Sequence, residues 1–424
     1  MDAPLGLYRS FLFFAVPLCA VLGVATGASA LLAFAAAGLA LLALALIRSR
    51  RALLGLRVTR RLYPNAFEDE AVRVELQLEN RSPRKAALVE LDDAFSPSVA
   101  DRHVMLEPGP LLPNRRLTLA YRSFCSRGWG EYRVGPLGLS VSDAAGLFST
   151  RRLFHQLDTF TVFPRVHPVA GLDRFGARPS LLPQESTSGT PGQSLNYLGV
   201  RDYMPGDEVR RIHWPATARR GELTVKEHET DLIPYFTLFL DLDKRGRAGT
   251  GRKSTLEFVV RTAASLVWQA TTRGDIVQAI AEGERPLFVP PGRGELHATH
   301  ALYELVRARQ DGKQPLLELV EQHGASLLGG STAALVAASL ALDPLALEAA
   351  LEALRAKGVR ALVFLVNDSS FAPIDRWQLP PALLEQRCQA LLGVLRARRV
   401  PGAILSADSD LAADLGRHDL LEDR

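Results

Sequence analysis

The feature that most constrains this chain is a 37-residue run, Phe11–Ile47, without a single charged side chain. From Arg48 onward charges arrive densely, so one part of the chain is written for lipid and the rest for water. One membrane-spanning helix needs about 20 apolar residues, and a secretory signal has a much shorter apolar core followed by a cleavage site. The least hydrophobic stretch, Gly23–Ser29, predicts a tight turn between two helices of about 17–18 residues, the short end of the spanning range. Pro17 would kink the first helix, which membrane helices tolerate. Gly23 and Gly27 have GxxxG spacing and read as part of the turn. Arg9 precedes the run, and Arg48, Arg50 and Arg51 follow it. A hairpin puts both ends on one side, and the positive-inside rule makes that side cytoplasmic. The expectation is a transmembrane helical hairpin over residues 1–50 in the inner (cytoplasmic) membrane, with the body in the cytoplasm. Arg57, Arg60 and Arg61 extend the basic flank and read with it as an orientation signal toward the lipid bilayer.

The whole chain of 424 residues carries a formal net charge of +4. That excess is too small to argue for nucleic acid. Cys19, Cys125 and Cys388 are scattered, without CxxC or Cys/His spacing. They support neither a zinc site nor a disulfide framework, and they fit a reducing compartment.

Residues 51–165 change to a period of two. Ala71–Glu79 alternates apolar and polar, the mark of a half-buried strand. Ala87–Leu91, Leu117–Phe124, Glu131–Val134 and Phe160–Phe163 are further strand candidates, separated by turns such as Pro108-Gly-Pro110 and Pro113-Asn114. This spacing predicts a small antiparallel β-sandwich. His103 and His155 read as surface or packing residues.

Residues 166–232 form a connector. Its first part, 180–193, is polar and broken by Gly and Pro, which reads as a loop. The next part is dense in chemistry. Pro205-Gly206 suits the centre of a type II turn, and Asp207 then stands where a side chain caps a short helix. Arg210, Arg211 and Trp214 lie one turn from Asp207 or from each other. Arg201, Arg210, Arg211 and Arg219 face acids in Asp202, Asp207, Glu222 and Glu227. Two readings follow. One is an ion-paired connector anchored by its aromatic residues. The other is an anion or partner site built on Arg201, Tyr203, Gly206, Asp207, Arg210, Trp214, Arg219, Lys226 and Glu227.

The pattern Arg-x-Tyr-x-Pro-Gly-Asp-x-x-Arg-x-Ile-x-Trp from Arg201, then Ala-Arg-x-Gly-x-Leu-x-Val-Lys-Glu from Ala218, resembles the signature of a bacterial family called domain of unknown function 58. The resemblance implies two N-terminal membrane helices, a β region, the signature, and a von Willebrand factor A-like domain. It also implies a MoxR-type AAA+ ATPase as a frequent partner. It implies no biochemical activity.

Residues 233–424 alternate strand and helix. Strands are predicted at Tyr235–Leu242, Asp275–Ala281, Ala333–Leu342 and Arg360–Val366. Helices are predicted at Thr255–Thr272, Leu296–Arg309, Pro344–Lys357 and, last, Pro381–Ala397. Such alternation predicts an α/β domain with a mostly parallel sheet, and ligands of such sheets bind at the carboxyl ends of the strands. There the resemblance implies an Asp-x-Ser-x-Ser metal motif, where this chain has Asp241-Leu-Asp243-Lys-Arg245. Both serines are missing. Asp243 offers oxygen to Mg²⁺, but Lys244 and Arg245 repel it, and Ser339 replaces a further acid. The expectation is no cofactor, with Asp241 paired to Lys244, Arg245 or Arg247 and capping local backbone.

Three function classes remain. The first is a membrane-anchored, non-enzymatic interaction or scaffold protein. The second is metal-dependent recognition through Asp241 and Asp243. The third is a hydrolase or transferase using Cys125, His213 and Asp207, and nothing in the sequence orients those three toward one another.

Overall fold

A computed structural model describes residues 3–107, 109–143, 147–172, 197–205, 207–228, 234–371, 380–408 and 410–416. The predicted loop at 180–193 lies outside them. The chain divides into two compact units, Met1–Arg165 and Val166–Arg424.

The first unit opens with helices Ala3–Thr26 and Ser29–Leu54, parted at Gly27, whose φ is 66°. Ser29–Leu54, at 26 residues and a mean hydropathy of 2.7, is long and apolar enough to cross a membrane; Phe13–Thr26 is a shorter apolar stretch. Gly38 lets the two helices approach, since a Cβ there would lie 2.6 Å from Val16 Cγ2. The far end of the second helix runs into the folded body. Ala52 and Leu53 join its core, and the hydroxyls of Ser49 and Thr150 stand 2.9 Å apart.

The body holds three sheets. Leu56–Arg61, Ala71–Asn80 and Arg116–Phe124 form one, antiparallel throughout. Arg102–Glu107, Leu88–Ala94, Leu137–Ser142 and Ser149–Phe154 form a second antiparallel sheet. In the third, Asp158–Phe163 pairs antiparallel with Gly130–Val134 and parallel with Asn65–Phe67. The expected all-antiparallel arrangement is corrected by that last pairing. The period of two in Ala71–Asn80 puts Val72, Val74, Leu76 and Leu78 inward. They meet Leu91, Phe95, Leu139, Val141, Phe160 and Val162 in one core. Each such side chain contributes about 1.5–3 kcal/mol by leaving water.

One member of the basic flank is not at any surface. The Arg60 side chain is 2% exposed, and it donates to both oxygens of Asp93. It also donates to Asp158 Oδ2 at 2.7 Å and to the Val134 carbonyl at 3.1 Å. Tyr121 donates to Asp93 Oδ2 at 2.7 Å. Burial, with Asp93 beside it, holds the Tyr121 phenol far above its usual range. Reading Arg60 as a lipid-facing cation is therefore corrected: it lies on the inward-facing side of its strand, with Leu56 and Val58. His103 stacks on Tyr121 and lies 3.0 Å from Ser123 Oγ.

The second unit is built on a six-stranded sheet. Its order is Leu287–Gly292, Ile276–Ala281, Tyr235–Leu240, Thr332–Ala338, Arg360–Val366 and Gly402–Leu405. All neighbours are parallel except Leu287–Gly292, which is antiparallel to Ile276–Ala281. Thr332–Ala338 is buried at every residue, as a central strand covered on both faces must be. Helices Thr255–Arg273, Glu295–Val306, Leu316–Gly324, Pro344–Ala356, Pro381–Arg398 and Leu411–Leu415 accompany the sheet. Caps set their limits. Ser254 Oγ accepts the Glu257 N–H, and Asp343 Oδ1 accepts those of Leu345 and Ala346 ahead of Pro344 at N1.

Two expectations are corrected here, and one strand was missed. Thr332–Ala338 stops four residues early, and Ser339–Ala341 forms a 3₁₀ turn instead. Pro381–Arg398 is not the last element, because Gly402–Leu405 and Leu411–Leu415 follow it. Leu287–Gly292 escaped the sequence reading because Pro290-Pro291 argues against a strand; it is an edge strand, where proline is tolerated.

Candidate functional site

The chain builds outward from Tyr235–Leu240 in one direction and from Thr332–Ala338 in the other. The crevice between their carboxyl ends is the switch point where such sheets place ligands. Asp241 and Ser339 stand there. Asp241 is 1% exposed, and its Oδ1 accepts the Asp243 N–H at 3.0 Å and its Oδ2 the Ala338 N–H at 3.3 Å. Burial pushes its carboxyl up to about 7 against those two hydrogen bonds.

Asp243 is also 1% exposed. Its Oδ1 accepts the Arg245 backbone N–H at 2.8 Å. Its Oδ2 accepts Arg245 Nε at 2.8 Å and Nη2 at 2.6 Å. Arg245 therefore pairs with Asp243, while Asp241 is held by backbone amides. The expected cation partner for Asp241 is corrected accordingly, since Lys244, Arg245 and Arg247 are exposed and Asp241 is buried, while its expected capping of local backbone is what the two amide bonds provide.

The sequence reading missed Asp368, the third acid of this edge. It follows the strand Arg360–Val366 and is 4% exposed. Its Oδ2 accepts the Leu340 N–H at 2.6 Å, and its own N–H reaches Ser339 Oγ at 3.4 Å. Burial, with Asp241 adding repulsion, pushes it up to about 8. Its Oδ1 is buried without a hydrogen-bond partner, as is Gln310 Nε2. An acid at a strand end was the signal used for Asp241, and Val366-Asn-Asp368 carries the same signal.

These acids do not fit a divalent cation as arranged. Asp241 is turned to two amides, and Asp243 is clasped by a guanidinium where a hard cation would need its oxygens. Among the described residues, no group of three or more His, Cys, Asp or Glu is placed to hold a metal.

The signature segment folds as a small module of its own. Strands Tyr197–Asp202 and Thr224–His228 pair antiparallel. Between them lie a 3₁₀ turn, Val209–Arg211, and a helix, Trp214–Arg220. Arg201 forks onto Asp207, with Nη1 to Oδ2 at 2.8 Å and Nη2 to Oδ1 at 2.6 Å. The Asp207 N–H returns to the Met204 carbonyl at 3.1 Å, and the Met204 N–H donates to Asp207 Oδ2 at 2.9 Å. Asp207 thus closes its own turn, and the N-cap positions fall to Glu208 and His213, which corrects the expected role. The cap is His213, whose Nδ1 accepts the Ala216 N–H at 3.1 Å. Gly221, at φ 78°, ends that helix in the left-handed conformation.

The remaining signature residues separate. Tyr203 is half-buried, and its N–H donates to the Leu223 carbonyl. Arg210 reaches Glu208 at 3.5 Å, and its side chain is 88% exposed. Arg219 and Lys226 are exposed. Trp214 is 62% exposed, so the expected aromatic anchor is corrected. Met204, Val209 and Leu223 are exposed as well. Gly206 and the side chain of Glu227 lie outside what the structure describes.

Cys125 is fully buried in the first unit, and burial raises its thiol to about 12, the reverse of an activated nucleophile. His213 spends Nδ1 on its cap, and Asp207 is tied to Arg201.

A family model described as "Protein of unknown function DUF58" matches residues 199–380. The chain is also similar to "Uncharacterized protein YeaD" of Bacillus subtilis (strain 168), 26% identical over 194 residues. That match covers 44% of this chain and 45% of the relative, so it spans less than half of either protein. Among solved structures, proximal thread matrix protein 1 from the mussel byssus aligns at 11% identity with a TM-score of 0.29, covering 45% of this chain and 47% of that one. A β-glucosidase from Listeria innocua aligns at 11% identity and a TM-score of 0.17, over 26% and 16% of the two chains.

Proposed function

We propose that this protein is a non-enzymatic interaction or scaffold protein of the inner (cytoplasmic) membrane. It crosses the membrane with a two-helix hairpin and presents its second unit, a von Willebrand factor A-like domain, in the cytoplasm to a MoxR-type AAA+ ATPase. The observation that carries the reading is that the signature module leaves three large apolar side chains exposed. Met204, Val209 and Trp214 are each more than three-fifths exposed, next to the exposed Arg210. Exposed apolar patches mark interaction surfaces, and Trp and Arg dominate the energetics of such surfaces. The arginines flanking Phe11–Ile47 support the cytoplasmic side.

Crosslinking in intact membranes, followed by purification, tests the reading. An AAA+ ATPase is expected with the unaltered protein and is expected to be lost from Trp214→Ala. Clean absence of any such ATPase from the unaltered protein sinks it. Calorimetry with Mg²⁺ separates this reading from metal-dependent recognition through Asp241 and Asp243, since a binding heat lost in Asp243→Asn would favour the metal.

A further inference from the structure

One stretch of the second unit holds five cations and no acid. Between Asp243 and Glu257 stand Lys244, Arg245, Arg247, Arg252 and Lys253. All five are exposed. They ride on a 3₁₀ turn, Lys244–Gly246, and a minimal hairpin, Gly249–Thr250 with Lys253–Ser254, directly after the central strand Tyr235–Leu240. The run therefore crowns the carboxyl edge of the sheet, beside the switch-point crevice.

Beneath this crown is an open cleft of about 620 Å³, lined by Asp243, Lys244, Arg245, Lys313, Gln314 and Glu318, with Pro315 between the last two. Its walls are tied before anything enters. The Lys244 N–H donates to the Gly312 carbonyl at 3.1 Å, and the Gly312 N–H donates to the Leu242 carbonyl at 2.8 Å. Gly312 permits this closeness, because a Cβ there would overlap the Glu282 carbonyl oxygen. Such pre-organisation lowers the ordering cost of binding.

The charges of the lining select the occupant. Arg245 is engaged with Asp243, which leaves Lys244, Lys313 and Glu318 as the other charges lining the opening. A dense polyanion such as a nucleic-acid backbone would meet Glu318 and has few donors to offer Gln314. A peptide bearing spaced carboxylates meets both lysines, and its amide N–H groups can face Glu318.

We propose that the cleft between the Lys244–Gly246 turn and the Lys313–Pro315 segment binds an acidic peptide segment of a protein partner, held by Lys244 and Lys313 under the basic crown. This rests on the docking role proposed above and names the chemistry that role would recognise.

The test uses the full chain in nanodiscs of zwitterionic lipid and a short fluorescent peptide of alternating glutamate and serine. Saturable binding that weakens with added salt is expected. Lys244→Glu with Lys313→Glu should lower the affinity at least about tenfold, and Lys244→Gln with Lys313→Gln by less. Arg293→Glu, an exposed cation outside the cleft and outside the signature module, should leave binding unchanged. Both double variants are checked for an unaltered near-ultraviolet spectrum and melting profile, and the Gln pair decides if the Glu pair misfolds. Absence of binding, or an equal loss in Arg293→Glu, overturns the proposal. So does stronger competition from inorganic phosphate or from phosphatidylglycerol vesicles than from unlabelled peptide. If the Glu pair loses the peptide yet still crosslinks to the ATPase, docking stands and the acidic segment falls. If the peptide binds as expected and no ATPase is recovered, the cleft stands and the partner assignment falls.

Discussion

Each unit contains an arginine–aspartate pair, and the two behave differently. In the first unit both partners are out of water: Arg60 is 2% exposed and Asp93 not at all. In the second, Asp243 is 1% exposed and Arg245 is 46% exposed. The pairing chemistry is the same. What differs is desolvation, which decides what either pair is worth. The first pair is compensated by Asp158, the Val134 carbonyl and the Tyr121 hydroxyl. The second leaves one charge half in solvent.

The comparison can be broken most directly at Arg60. Arg60→Met strands Asp93 in the core, and breaking a buried pair costs about 3–5 kcal/mol. Chemical denaturation should show that loss in the first unit, and an unchanged midpoint would mean the network is not structural. The next effect is on pH dependence. Asp241 and Asp368 are raised to about 7 and about 8, above the usual value near 4 for an unfolded aspartate. Between those values the folded chain holds more protons than the unfolded chain, so stability falls as pH rises from about 4 toward 8. Asp368→Asn should flatten that slope and raise the melting temperature at about pH 8. A slope identical to the unaltered protein would show that these acids do not govern it. Arg245→Ala should cost about 1 kcal/mol, well below Arg60→Met, because its backbone N–H still serves Asp243. If thermal melts place the two substitutions level, the contrast between the pairs fails. The smallest effect is expected from Trp214→Ala, within about 0.5 kcal/mol; a larger drop would mean that the indole packs within the module.

Much of the second unit was legible in the sequence. Alternating apolar runs and helical stretches with clear caps announce a parallel sheet, and Arg360–Val366 was placed to the residue. The errors fell where one local signal competed with another. Ala333–Leu342 reads as one continuous apolar strand, and nothing local says it turns at Ser339. That turn is what brings Asp368 against Leu340. Capping was misassigned for a similar reason. Asp207 is the better cap by residue type, but Arg201 claims its carboxylate, and His213 takes the helix.

By itself the sequence determined the division between an uncharged, lipid-compatible helix and a water-soluble body. It determined the period-two and alternating patterns of the two units and the density of the segment from Arg201 to Glu227. These are properties of composition and spacing along the chain, and they need no partner. Only the tertiary structure decided which charges are structural. Arg60 and Arg61 are neighbours in one strand, yet one is buried among carboxylates and the other faces away. Asp241 and Asp368 lie 127 positions apart and share one buried edge. The reason is that desolvation depends on what surrounds a group in space. The sequence names the group and leaves those surroundings to the fold.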